Sequence, residues 1–159
     1  MESKAAEQVS VKPFRRILVP VDFSELSALA LQTAAALSRV YEAPLSLVYV
    51  YESMALAVPE GYRLFTEGQL NRMFDEFQRG LAQQKQAAEA AGALQVETRL
   101  LHGFVAREIV AFAEEGAFDL IVMGTHGLRG LAHAWLGSIA ERVVRLAPCP
   151  VLTVRAGHA

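Results

Sequence analysis

One cysteine, Cys149, is all the 159-residue chain contains, so no disulfide can form within it. No CxxC pair or Cys/His cluster accompanies it, which removes the usual framework of a zinc site. Lysine is nearly as scarce: Lys4, Lys12 and Lys85 are the only three. Any positively charged site must therefore rest on Arg, His or backbone N–H groups. The net charge is -2 with 20% charged residues, which supplies no general attraction to nucleic acid or to an anionic membrane. No apolar run reaches the ~18 residues of a membrane span. The opening MESKAAEQVSVKP carries Glu2, Lys4 and Glu7 and lacks the apolar core of a secretion signal. A reducing cytoplasm is the expected compartment, and neither nucleic acid nor membrane is an expected partner.

Hydrophobic residues make up 53% of the chain, enough for a substantial core at this length. Residues 1–13 are polar and aperiodic and read as a flexible tail closed by Pro13; residues 14–159 read as one domain. Arg16 to Val21 is short, β-branched and continuously apolar, the pattern of a strand covered on both faces. From Ser24, a candidate N-cap, to about Tyr41, apolar residues recur at helical spacing. Leu45–Tyr51 reads as a second strand, and Thr66 with Gln69 as a capping box that starts a long helix ending near Gly92. Val96–Leu101, Val105–Glu115, Phe118–Met123, Ser138–Leu146 and Val151–Arg155 then read as strand, helix, strand, helix and strand. Alternation of this kind predicts an α/β fold: a doubly wound, five-stranded parallel sheet with helices on both faces, Rossmann-like in class.

In such a sheet, ligands sit beyond the carboxyl ends of the strands where the winding reverses. Two loops then matter. After the first strand comes Pro20-Val21-Asp22-Phe23-Ser24; after the fourth comes Gly124-Thr125-His126-Gly127, followed after nine residues by Gly137-Ser138. Glycine lets a backbone approach an anion closely, and the free N–H groups opening the last helix would favour phosphate, with the Ser138 hydroxyl as a further donor. An ordinary glycine turn and Ser cap read the same residues equally well. Asp22 also admits two readings: a turn residue, or an acceptor for a ribose hydroxyl or an exocyclic amine. The P-loop, the GxGxxG fingerprint and the GxSxG elbow are all missing.

Pro20-Val-Asp-Phe-Ser24, Asp119-Leu-Ile-Val-Met-Gly124-Thr-His-Gly127, Gly137-Ser138 and Pro150-Val-Leu-Thr-Val154 together resemble the universal stress protein family over about residues 14–156. The glycine pattern is similar to the G-x2-G-x9-G-[S/T] of its ATP-binding branch. The resemblance implies a strand order of 3-2-1-4-5 and an ATP-binding stress-response regulator. It implies that Asp22 and the backbone of Val50 meet adenosine, and that Gly124, Gly127, Gly137 and Ser138 surround the phosphates. Met123 and Ile139 would line the pocket, next to Pro20 and Val21. Val21 departs from the pattern, since ATP-binding relatives often carry a Thr there. Magnesium is the natural companion of a triphosphate, although the sequence shows no dedicated carboxylate set for it.

His126 and Arg129 are the remaining candidate phosphate partners, Arg129 the better because its charge is permanent and its donors bidentate, and each reads also as a solvated loop residue. No motif places a general base, so slow ATP hydrolysis is an easier enzymatic alternative than fast turnover. A third reading is a nucleotide-free interaction module. With order 3-2-1-4-5, the strand Val151–Arg155 lies at a sheet edge and predicts a homodimer by strand pairing, as the family resemblance also implies. The regulatory protein partner is not legible.

Overall fold

The computed structural model describes residues 14–52, 66–126 and 136–156. Nine elements alternate along them: β1 (Ile17–Pro20), α1 (Glu25–Tyr41), β2 (Leu45–Tyr51), α2 (Glu67–Ala90), β3 (Val96–His102), α3 (Val105–Glu115), β4 (Leu120–Gly124), α4 (Ser138–Leu146) and β5 (Val151–Val154). The strands form one sheet in the order β3-β2-β1-β4-β5, and every pairing is parallel.

The sheet is apolar because both its faces are covered. Ile17, Leu18 and Val19 of β1 are fully buried. Side chains alternate between the faces, as the pleat requires. Ile17, Val19, Leu45 and Leu47 pack against α1 and α2, where Ala30, Leu31, Ala34 and Leu81 close one core. Leu18, Val48, Val50, Ile121 and Met123 face α3 and α4, where Ile109, Ala113, Ala140 and Val143 close the other. The winding therefore reverses between β1 and β4: the first two helices lie on one face and the last two on the other.

Local signals set the helix ends. Ser24 caps α1, its Oγ accepting from the Ser27 N–H at 3.2 Å. Thr66 and Gln69 form the expected reciprocal capping box, at 3.3 and 2.8 Å. Gly92 follows α2 at φ +89, the left-handed residue past a helix end. α3 stops at its C-cap Gly116, which stays in the right-handed region, and the left-handed residue follows at Ala117, φ +49. The fourth strand starts at Leu120, two residues later than Phe118. The Phe118 ring packs on Phe112, with the Arg16 guanidinium 4.8 Å above it. Asp119 turns to the chain's start instead, accepting from the N–H groups of Arg15 and Arg16 at 2.8 and 3.0 Å.

Candidate nucleotide crevice at the switch point

β1 and β4 lie side by side, with Ile17 opposite Leu120 and Leu18 opposite Ile121, so the loops leaving their carboxyl ends are neighbours. At the mouth of β1, Pro20 ends the strand, and Val21 is buried with its N–H still donating to Val48 O at 2.8 Å. Asp22 then turns. Its N–H donates to Ser27 Oγ at 3.2 Å, and its Oδ1 accepts from the Ser24 N–H at 3.0 Å and the Ser24 hydroxyl at 2.6 Å. The turn reading of Asp22 thus holds, and the same bonds fix the carboxylate at the mouth of the strand. The next residue, Phe23, stands at φ +64, a conformation rare for a bulky side chain.

The mouth of β4 is tied to the start of α4. Thr125 is buried, and its N–H donates to Val154 O at 2.9 Å. Its carbonyl accepts from the Gly137 N–H at 2.7 Å. Gly137 is the N-cap of α4 and contributes no side-chain cap, so among the described residues the opening N–H groups of the helix have no side-chain cap. Ser138 and Ile139, exposed, form the first turn. A Cβ at Gly137 would stand 3.0 Å from the Thr125 carbonyl oxygen, so glycine is what permits this approach. Gly124 is explained in a similar way: a Cβ there would meet Leu26 Cβ at 3.1 Å, where α1 crosses the end of β4. His126 lies against the start of α4, its Cα 3.5 Å from where a Cβ on Gly137 would be. Its Nδ1 lies 3.1 Å from Thr125 Oγ1, and its buried Nε2 has no hydrogen-bond partner among the described residues.

The structure thus brings Gly124 and His126 together with Gly137, Ser138 and Ile139, and sets Pro20, Val21 and Asp22 at the adjoining strand mouth. Val50 ends its buried stretch one strand further, and Met123 is buried in the α3/α4 core beside Ala140. Gly127 and Arg129 lie outside the described residues. Three contributors escaped the sequence reading: Thr125, Ser27 and Phe23. The Ser24 hydroxyl, foreseen as a cap, also holds Asp22. Phe23 stacks on Tyr49 at 4.8 Å, and nothing in its residue type signals a left-handed backbone. Burial pushes the Tyr49 hydroxyl above its usual range, and the Asp22 charge pushes it the same way.

The chemistry of this arrangement is that of a binding crevice. A helix N-terminus with no side-chain cap among the described residues suits an anion, as does His126 Nε2 in the tautomer that carries its proton there. A fixed carboxylate at the neighbouring mouth repels phosphate and suits hydroxyl or amine donors. A nucleotide offers both kinds of group, so the residues present fit one. Among the described residues no cluster of three or more His, Cys, Asp or Glu could hold a metal ion. Two hollows, of about 320 and about 240 Å³, lie between α3 and α4 and between α1 and α2; neither is lined by a residue of the crevice. No helix among the described residues is long and apolar enough to cross a membrane.

A family model described as the universal stress protein family matches residues 13–155. The chain belongs to that family. A universal stress protein of Methanocaldococcus jannaschii is 37% identical over 145 residues, covering 89% of this chain and 82% of the relative. Among solved structures, a universal stress protein in complex with cAMP superposes with a TM-score of 0.71 at 25% identity, covering 91% of this chain and 98% of that one. The universal stress protein of Archaeoglobus fulgidus in complex with dAMP gives 0.64 at 26% identity, covering 89% and 98%. The five-stranded order β3-β2-β1-β4-β5 with helices on both faces is the fold of these universal stress proteins.

Proposed function

We propose that this universal stress protein binds ATP in the crevice between β1, β4 and α4 and works as a nucleotide-dependent regulatory module of a stress response. The observation that carries the reading is the tie between Gly137 and Thr125, which holds the start of α4, without a side-chain cap among the described residues, against His126. Phosphate would lie there, against Gly124, His126, Gly137, Ser138 and Ile139, with Gly127 and Arg129 as the sequence-level additions and magnesium as the counter-ion of the triphosphate. Adenosine would lie toward Pro20, Val21, Asp22, Val50 and Met123. Family members in complex with cAMP and with dAMP support an adenine nucleotide as the ligand class.

The same proposal includes a homodimer through β5. That strand is a sheet edge, and its Leu152 is 39% exposed. Mass spectrometry of gently purified protein tests the ligand, and calorimetry with ATP and GTP tests the base. An adenine nucleotide in the preparation and tighter binding of ATP than GTP are expected. A nucleotide-free protein that takes up no ATP would leave the interaction-module reading in its place.

A further inference from the structure

Glycine is a poor helix former, so a glycine in the middle of a long helix calls for a packing reason. α2 contains two. Around Gly68 nothing lies within 4 Å of where a Cβ would be, and substitution there meets open space. At Gly80 the opposite holds: a Cβ would stand 2.7 Å from Phe23 Cζ and 2.8 Å from Phe23 Cε1. The tip of the Phe23 ring therefore occupies the volume that any other residue would fill. The ring has little freedom to move away. Its face stacks on Tyr49 with planes 20° apart, and Tyr49 is backed in turn by Phe77 of α2 at 4.7 Å. The backbone that carries this ring is the one at φ +64. Strained residues of this kind persist only where the surroundings over-determine them. Here the surroundings are a notch in α2 and an aromatic face on β2.

Phe23 lies between Asp22 and Ser24, the two residues whose side chains are hydrogen-bonded to each other across it. Holding Phe23 left-handed is what folds the chain back so that Asp22 Oδ1 can reach the Ser24 N–H. We infer that Gly80 and Phe23 are positioning residues: the Gly80 notch, by seating the Phe23 ring, sets the orientation of the Asp22 carboxylate and thereby couples α2 to the adenosine end of the crevice. The inference rests on the proposal that adenosine lies at Asp22. It makes α2 a supporting wall of a site that it does not line.

The test compares Gly80→Ala with Gly68→Ala, two identical substitutions on one helix. Two readouts are used: amide exchange at Ser24, followed by NMR, and ATP affinity, followed by calorimetry. Gly68→Ala is expected to match the parent in both. Gly80→Ala is expected to exchange the Ser24 amide at least about 10-fold faster, because its Asp22 acceptor is no longer held. Its ATP affinity is expected to fall about 10-fold, or 1.4 kcal/mol. If Gly80→Ala does not fold, Phe23→Ala removes the ring while leaving α2 intact, at a φ that alanine does not hold unaided, and the same two changes are expected. Parental exchange at Ser24 in a folded Gly80→Ala or Phe23→Ala protein overturns the mechanical link. Faster exchange with parental ATP affinity overturns the coupling to the site. A parent chain that binds no adenine nucleotide removes the ligand end together with the proposal beneath it, and the exchange readout then decides the mechanical end by itself.

Discussion

The N–H of Gly137 donates to the carbonyl of Thr125 at 2.7 Å, tying the first residue before α4 to the first residue after β4. A Cβ on Gly137 would press on that carbonyl oxygen at 3.0 Å. Gly137→Ala is conformationally permitted at φ -70 but pushes the helix start off the strand. Crowding of this kind costs about 1–3 kcal/mol. Urea denaturation should report a loss in that range, and ATP affinity measured on the folded variant should fall at least ~10-fold. A variant with parental stability and affinity would show that the tie does not shape the crevice.

Asp119, just before β4, holds Arg15 and Arg16, which lead into β1. Asp119→Ala leaves the N–H groups of Arg15 and Arg16 without their carboxylate acceptor. Both bonds are exposed, so the loss should sit near the low end for hydrogen bonds to charge, about 1.5 kcal/mol. The same change reaches Cys149. Burial raises the thiol's pKa, and the Asp119 charge raises it further. Alkylation by iodoacetamide at pH 8 should therefore be slower in the folded protein than in urea, and faster in Asp119→Ala than in the folded parent. Equal rates in all three states would contradict the assignment.

Tyr49 gives a pH dependence with a defined sign. Its folded pKa lies above the ordinary 10.0, through burial first and Asp22 second. The folded state then binds the phenolic proton more tightly than the unfolded state. Its contribution to stability is complete below pH ~10 and is lost as pH rises through the folded value. Tyr49→Phe has no such proton, so its stability should decline less steeply than the parent's above pH ~10. Chemical denaturation across that range should reveal it; parallel curves would exclude Tyr49 as the source.

β5 offers a test of the proposed dimer. The carbonyls of Pro150 and Val154 accept from Ile121 and Thr125 of the β4 segment. Alternation along a parallel ladder then directs Leu152 to β4 as well, and turns the N–H groups of Val151 and Thr153 outward. Thr153→Pro removes an outward donor and leaves the β4 ladder intact. Light scattering at micromolar concentration should find a dimer for the parent and a monomer for the variant. A monomeric parent would end the dimer proposal.

What was legible in the sequence is what local chemistry decides. Thr66 and Gln69 form their capping box because both partners are in one turn, and Ser138–Leu146 has the expected bounds because Pro148 and Pro150 follow it. The buried strands were readable because burial on both faces removes polar residues from them. The crevice was legible in outline, through glycines that follow strands, but the reason for two of those glycines was not. Gly124 accommodates Leu26 and Gly137 accommodates the Thr125 carbonyl, contacts between segments that spacing alone cannot pair. Nor could the left-handed backbone of Phe23 be foreseen, since it is imposed by Tyr49 and Gly80 from two other elements.

The central place of β1 also orders events in time. Its three fully buried residues need β2 on one side and β4 on the other, and β4 begins at Leu120. A nascent chain halted after α3 can pair β1, β2 and β3, but it has a bare flank on β1 and no α4 to complete the crevice. Closing that distance is slow compared with forming a helix. On the proposed reading, nucleotide would therefore be captured only after β4 and α4 have been made, so occupancy of the crevice would report that Ser138–Leu146 has joined the fold.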